Sequence, residues 1–311
     1  MNPRGGTELQ VELLEKYSDK KLLDQVQITT SVPEKIPLHP TKPNILWQQN
    51  SYDQGNLVPW FKDKDNHKKY DWYVFNSHWC YEKFRMMFDV PTKKCLVIKN
   101  AIDKIEPRKL DHKVGDPIKL IYTSTPWRGL NVLLAAMQLV KNKQVHLDVY
   151  SSTQIYGNQF KDANDTPYKG LYEQAGELIN VSYVGYKPNE FIKENLKNYH
   201  MFAYPNIWEE TSCIAAIEAM AAGLYTIVTD YGALFETCAE YAVYVPFEKD
   251  YIRLAHTFAQ VIDSAANQIH QDNVKGHLQS QIDYTNRFYS WDLRANVWNR
   301  FLQGVIDARS K

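Results

Sequence analysis

Between residues 118 and 246 the hydrophobic period of the chain switches repeatedly between that of a strand and that of a helix, and this alternation leaves few folds open. The runs "IKLIYTST" (118–125), "VHLDVYSS" (145–152), "NVSYVGY" (180–186), "HMFAYP" (200–205), "LYTIVTD" (224–230) and "YAVYVP" (241–246) are short, apolar and rich in β-branched and aromatic residues. Such runs predict strands buried on both faces. "LNVLLAAMQLVKN" (130–142) and "PNEFIKENLKN" (188–198) carry helical periodicity between them, and the polar stretch from Thr153 to Lys169 predicts a loop before a short helix. Strands that alternate with helices in this way form a parallel sheet with right-handed crossovers, so an α/β, Rossmann-like domain is expected.

The first half follows the same pattern more loosely. "GGTELQVELLEKYS" (5–18) is a glycine pair, then Thr7 and Gln10 at capping-box spacing, then an amphipathic pattern. Strands are expected in "LLDQVQITTS" (22–31), "PNILWQQN" (43–50), "DWYVFNS" (71–77) and "KCLVIKNAI" (94–102), with a helix over 78–89 and a surface loop over 51–69. Only four residues precede Gly5, so the strand that normally feeds a glycine turn is very short or missing. The charged segment 103–116 lacks periodicity and reads as a linker. The expected division is an N-terminal domain over 1–113, a C-terminal domain over 114–290, and a closing amphipathic helix within 291–311.

Composition narrows the function. The 36 Lys and Arg balance the 36 Asp and Glu, which removes the broad positive footprint of a nucleic-acid binder. Cys80, Cys95, Cys213 and Cys238 form no C-x-x-C pair, and no His cluster has zinc-ligand spacing, so free thiols and no metal site are expected. "MNPRGGTELQ" lacks the apolar core of a signal peptide, and no apolar run approaches the ~20 residues of a membrane span. A cytoplasmic protein without a transmembrane segment is the expectation. The loop residues Trp60, Phe61, Lys62, Lys64, Lys68 and Lys69 are candidates for an acceptor or peripheral membrane contact, beside the plainer reading of a solvated loop.

In open parallel sheets, ligands bind beyond the carboxyl ends of the strands. The residues there are 126–129, Ser151 and Ser152, Gly185 and Tyr186, 206–212, and 230–233. Arg128 supplies a positive charge. A helix capped by Ser212 or Thr211, running to Ala222 and stopping at Gly223, supplies a partly positive N-terminus, so an anionic, phosphate-bearing ligand fits this rim. The stretch that holds this helix, "EETSCIAAIEAMAAG" (209–223), is mostly small and apolar after Glu210, which lies in the loop before the helix, yet Glu218 sits inside it, eight residues after Glu210. At ~1.5 Å per helical residue the two acids lie ~12 Å apart, too far to share a metal or a proton. An extended ligand with hydroxyls at both ends could meet both, since each carboxylate accepts two hydrogen bonds. Taken alone, such a pair also arises by chance, and Glu218 could serve packing.

These residues carry a family resemblance. "PNIWEETSCIAAIEAMAAG" resembles the E-x7-E signature of retaining glycosyltransferases of the GT-B fold, family four, and is the most specific part of the match. "IYTSTPWRGLNVLLAAM" resembles the segment around that family's Lys-Gly or Arg-Gly motif. "VSYVGYKPNEFIKENLKNYHMFAYPN" and "YTIVTDYGALFET" are similar to the segments beside the signature. "RGGTE", "VFNSHWCYEKF" with "VIKNAID", and "YSWDLRANVWNRFL" are similar to its glycine loop, its domain-closing elements and its terminal crossover helix, so nearly the whole chain is covered.

The resemblance implies two Rossmann-like domains facing across a cleft and transfer of a sugar, with retention, from a nucleotide sugar to a hydroxyl of a glycan, lipid-linked sugar or protein. It implies no cofactor beyond the co-substrate, UDP- or GDP-linked, and no metal. Glu218 would hold the ribose, and Glu210 would face the transferred sugar. Ser212, Cys213 and Ile214 would offer backbone N–H groups, Arg128 would neutralise the leaving diphosphate, Gly5 and Gly6 would approach the phosphates, and Gly185 and Tyr186 would meet the base. Thr123 and Ser124 are counted with the donor-binding set because they stand where many members carry a second basic residue. Arg4 is the candidate for the missing charge. "LWQQNSYDQ" (46–54) lacks the histidine that many members direct at the sugar, which leaves His78 as the nearest candidate. The competing readings are a GT-B nucleotide-sugar epimerase and a non-catalytic sugar-nucleotide or glycan-binding module.

Overall fold

The structure is a computed structural model that describes residues 5–309. Its backbone divides into two compact units. Of the described residues, the amino-terminal unit comprises 6–103, 209–212 and 289–309; the carboxyl-terminal unit holds Gly5, 104–208 and 213–288.

The amino-terminal unit runs α1 (Gly6–Tyr17), α2 (Lys20–Leu23), β1 (Gln27–Thr30), β2 (Asn44–Gln48), α3 (Val58–Lys62), β3 (Trp72–Phe75), α4 (His78–Phe88) and β4 (Cys95–Val97). The four strands pair in parallel in the order β1-β2-β3-β4. Among the described residues no strand precedes α1. Gln10 does not close a capping box. It is fully buried in α1, and its amide reaches Ala101, donating to the carbonyl at 2.7 Å and accepting from the N–H at 3.1 Å. A distant backbone segment outcompetes the local cap. Residues 51–69 are only partly a solvated loop: Lys62, Lys64, Lys68 and Lys69 are exposed, but the segment contains α3, whose Phe61 is fully buried against Phe84 and Phe88. Burial of such a ring stabilises by about 2–3 kcal/mol and removes Phe61 from any outward-facing role.

The carboxyl-terminal unit follows with β5 (Ile118–Tyr122), α5 (Leu130–Leu139), β6 (Val145–Val149), α6 (Asn158–Asn164), α7 (Lys169–Glu177), β7 (Val181–Tyr183), α8 (Asn189–Asn195), β8 (Met201–Tyr204), α9 (Ile214–Ala221), β9 (Tyr225–Thr229), α10 (Leu234–Cys238), β10 (Val243–Val245), α11 (Tyr251–Gln268) and α12 (Asp272–Phe288). The last helix, α13 (Trp291–Arg309), belongs to the amino-terminal unit, where Trp298 packs edge-on against Trp47 at 4.8 Å. The six strands of the carboxyl-terminal unit are all parallel, in the order β10-β9-β8-β5-β6-β7. Their continuous apolar character follows from burial on both faces: β8 is buried at every position. The 103–116 segment has no helix or strand, yet it is not a free linker. Arg108 is buried and donates from its backbone N–H to Ala222 O (2.9 Å) and from Nε to Gly223 O (3.0 Å).

Candidate functional site

In the carboxyl-terminal sheet the chain steps outward through β5, β6 and β7, then returns to the other side of β5 for β8, β9 and β10. The connections leaving β5 and β8 therefore pass to opposite faces, and a crevice opens at the carboxyl ends of these two strands. Three contacts define its floor. Gly129, in the left-handed region at φ 116°, brings the start of α5 so close to the β8 exit that a Cβ there would lie 2.1 Å from Pro205 O. The Ser124 hydroxyl lies 3.4 Å from the Tyr204 hydroxyl, and Thr229 Oγ1 donates to Asn206 O at 2.8 Å. Arg128, half-buried, closes the short 3-10 turn Pro126–Arg128 directly before α5. Thr123, Ser124 and Arg128 thus share one loop on the crevice.

The segment that links β8 to α9 departs from expectation at its cap. The N-cap of α9 is Cys213, which makes no side-chain capping bond; Thr211 and Ser212 do not cap it. The first turn of α9, beginning at Ile214, therefore receives no side-chain cap from Cys213. Ala216, Ile217, Ala219, Met220 and Ala221 are all buried, because α9 is packed by β8, β9, α10 and α12 at once. That enclosure is why the helix is built of small apolar residues, and Gly223, at φ 77°, ends it as expected. Glu218 is 4% exposed within this helix. A buried carboxylate is costly unless hydrogen-bonded, and Asn189 Nδ2 at the start of α8 donates to its Oε1 at 3.1 Å. Asn189 has no local signature; its contact spans 29 residues of sequence, so pattern reading could not find it.

The exits of β6 and β7 adjoin each other. Val149 O accepts from Val184 N (2.9 Å) and Gly185 N (3.2 Å), and the Tyr183 hydroxyl donates to Ser151 O at 3.0 Å. Burial pushes the Tyr183 phenol up to about 12, so it stays a donor at neutral pH. Ser151 is 1% exposed and Thr125 5% exposed, and neither hydroxyl finds a hydrogen-bond partner among the described residues. Buried polar groups are normally paired. Two orphan hydroxyls at the carboxyl ends of β5 and β6 place unmet hydrogen-bonding capacity at the rim where a ligand belongs. Tyr186 is half-buried in the loop between β7 and α8.

The remaining candidates lie elsewhere. Glu210 and Ser212 belong to the amino-terminal unit, where their segment is fastened by a buried polar network. Thr211 Oγ1 donates to Gln49 O (2.8 Å) and accepts from Asn76 Nδ2 (3.0 Å). Asn76 Nδ2 also donates to Gln49 Oε1 (3.1 Å), and the Gln49 and Asn100 amides exchange bonds of 2.9 and 3.0 Å. Lys83 reaches Glu209 Oε1 at 3.6 Å. Glu210, itself 4% exposed, sits between these anchors. His78 is exposed at the first position of α4, which Ser77 caps by accepting from Cys80 N at 2.9 Å. Gly5 is buried and Gly6 opens α1; Arg4 lies outside the described residues. All four cysteines are free thiols. Among the described residues no helix is long and apolar enough to cross a membrane.

Residues 104–275 match the family model of the glycosyl transferases group 1. The chain belongs to that family. The fold agrees: this chain is similar to the crystal structure of a glycosyltransferase from Rickettsia africae ESF-5, with TM-score 0.67 and 15% identity over 98% of this chain and 83% of that one. It is similar to Anabaena HepE in complex with UDP and glucose, with TM-score 0.63 and 14% identity over 85% of this chain and 72% of that one. It also resembles sucrose-phosphate synthase from Thermosynechococcus elongatus, with TM-score 0.61 and 18% identity over 86% and 69%. No curated protein matches the sequence. Two Rossmann-like units and a group 1 glycosyltransferase are therefore established for the chain; identities this low speak for the fold alone.

Proposed function

We propose that the carboxyl-terminal unit binds a nucleoside diphosphate sugar, UDP- or GDP-linked, and that the protein transfers the sugar, with retention, to a hydroxyl of a carbohydrate-type acceptor. The observation that carries this reading is Glu218: a carboxylate buried in an otherwise apolar helix, inside the segment matched to the family and in contact with the rim residue Asn189. Anabaena HepE, similar in fold, is seen in complex with UDP and glucose, which is consistent with the same ligand class.

In this reading Glu218 accepts from the ribose hydroxyls, and the orphan hydroxyls of Ser151 and Thr125 gain partners when the nucleotide docks. Arg128 and the N-terminus of α9, at Cys213 and Ile214, face the diphosphate. Breaking the anomeric bond leaves an oxocarbenium-like sugar and adds charge to that diphosphate. Preorganised donors aimed at growing charge are typically worth ~3–4 kcal/mol each, the largest contribution the site can make. We assign no protein nucleophile; the acceptor oxygen bonds to the anomeric carbon from the face the diphosphate leaves, its hydroxyl proton passes to the departing phosphate oxygen, and Glu210 meets the transferred sugar. Thr123, Ser124, Gly185 and Tyr186 complete the donor set.

The test is incubation with UDP-, GDP- and ADP-sugars while following nucleoside diphosphate release and product anomeric configuration by NMR. Release with retained configuration, abolished by Glu210→Ala and by Arg128→Ala, supports the proposal. Tight nucleotide binding without release would mark a binding module, and conversion to an epimer without acceptor would mark an epimerase; either contradicts it.

A further inference from the structure

The Asn189–Glu218 contact carries more than support for the carboxylate. An ionised carboxylate only accepts hydrogen bonds, so the Asn189 amide must turn its NH2 toward Glu218, 3.1 Å from Oε1 and 3.5 Å from Oε2. This orientation sends Oδ1 the other way. There it is buried and finds no hydrogen-bond partner among the described residues. Orphaned buried acceptors are rare in folded proteins and cost free energy until something donates to them.

Its surroundings say what that something is. Asn189 lies four residues after Gly185, whose N–H is held by Val149 O at the exit of β6. Two residues past Val149 stands Ser151, 1% exposed, whose hydroxyl is also without a partner among the described residues. Its carbonyl is tied by Tyr183 on β7. Two orphan polar groups therefore lie beyond the adjoining exits of β6 and β7, and one of them holds the carboxylate of α9.

We propose that Asn189 is a ligand-binding residue of the donor site: its NH2 orients Glu218, and its Oδ1 accepts from a hydrogen-bond donor of the nucleoside, either a ribose hydroxyl or a base N–H. This rests on the assignment of the rim as a nucleotide site. Asn189 thereby couples ribose recognition by Glu218 to a second contact on the same nucleoside, and discriminates against nucleosides that lack that donor.

The experiment is calorimetric. UDP, GDP and ADP are titrated into wild type, and the tightest is taken forward with its 2′-deoxy, 3′-deoxy and base N-methyl analogues. The same set is titrated into Asn189→Ala and Asn189→Ser, each checked for wild-type melting behaviour. The expected result is that Asn189→Ala weakens the parent nucleotide about three- to tenfold. It should also abolish the penalty that wild type shows for one analogue: a deoxy analogue identifies the hydroxyl, the N-methyl analogue the base. Parent affinity unchanged in Asn189→Ala, or every analogue penalty preserved in it, overturns the proposal while leaving the nucleotide site standing. Failure of wild type to bind any of the three nucleotides instead overturns the functional assignment, and this inference with it.

Discussion

Replacing Gly129 by alanine probes the close approach of the start of α5 to the exit of β8. The residue sits at φ 116° and ψ 12°, where a β-carbon costs about 1–2 kcal/mol on backbone grounds alone. The new methyl would also lie 2.1 Å from Pro205 O and 2.9 Å from Pro205 C, inside the 3.0 Å that real β-carbons do not breach. Both neighbours are backbone, so relief requires the start of α5 and the exit of β8 to part, at the ~1–3 kcal/mol typical of overpacking. The total is about 2–5 kcal/mol. For a unit of this size that lowers Tm by about 4–20 °C, at ~2–4 °C per kcal/mol. Because the displaced loops carry Arg128 and Asn206, nucleotide affinity should fall as well. The assay is thermal unfolding with and without nucleoside diphosphate. Gly176→Ala is the control: within α7, its Cβ would meet nothing within 4 Å, so it should be neutral or stabilise by about 0.5–1 kcal/mol. A Gly129→Ala protein that melts with wild type would refute the close approach of the two loops.

Two further outcomes follow from named groups. His200 is pushed down to about 4, first by burial and then by Arg108, His112 and Lys119, with Asp116 opposing; His112 is also lowered, chiefly by burial. A depressed histidine favours the unfolded state as acid is added, so stability is intact above pH ~6.5 and falls between there and pH ~4, by about 1–2 kcal/mol for His200 once solvent screening of its part-exposed ring is allowed for. His200→Asn, which keeps an acceptor for Lys119 N, should flatten the dependence of the urea midpoint over that window; an identical slope would contradict the assignment. Thr211→Val removes the hydroxyl that donates to Gln49 O and accepts from Asn76. We expect turnover to drop about tenfold with nucleotide affinity retained, because the loop bearing Glu210 loosens while Glu218 is untouched; equal losses in both would place Thr211 in general stability instead.

The legible part of this chain was the part whose hydrophobic period is set by burial on both faces. β5 to β10 lie within the runs read for them because parallel strands in a covered sheet carry unbroken apolar residues, and α9 stood out because enclosure on every side selects Ala and Ile. What escaped depends on distant partners. Gln10 looked like a cap but serves Ala101, 91 residues away. Phe61 sits among lysines and aspartates that suggested a loop, yet its ring completes an aromatic core. Arg108 and His112 read as linker charge and are both buried. Asn189 has no motif at all, and its role follows only from the carboxylate opposite it. Thr211, expected as a helix cap, is spent on Gln49 and Asn76, and the α9 N-terminus is left to Cys213.

The most direct test of a nucleotide at the carboxyl rim is titration of UDP and GDP into wild type, Glu218→Ala and Arg128→Ala. Removing a ribose-binding carboxylate or a diphosphate-binding guanidinium should each weaken binding by about 1.5–3 kcal/mol, roughly 10- to 150-fold, as expected for hydrogen bonds to charged groups. Arg128→Ala should lose most of its penalty toward the nucleoside itself, which has no phosphate, whereas Glu218→Ala should keep it. Wild-type affinity in both variants would show that the ligand lies elsewhere.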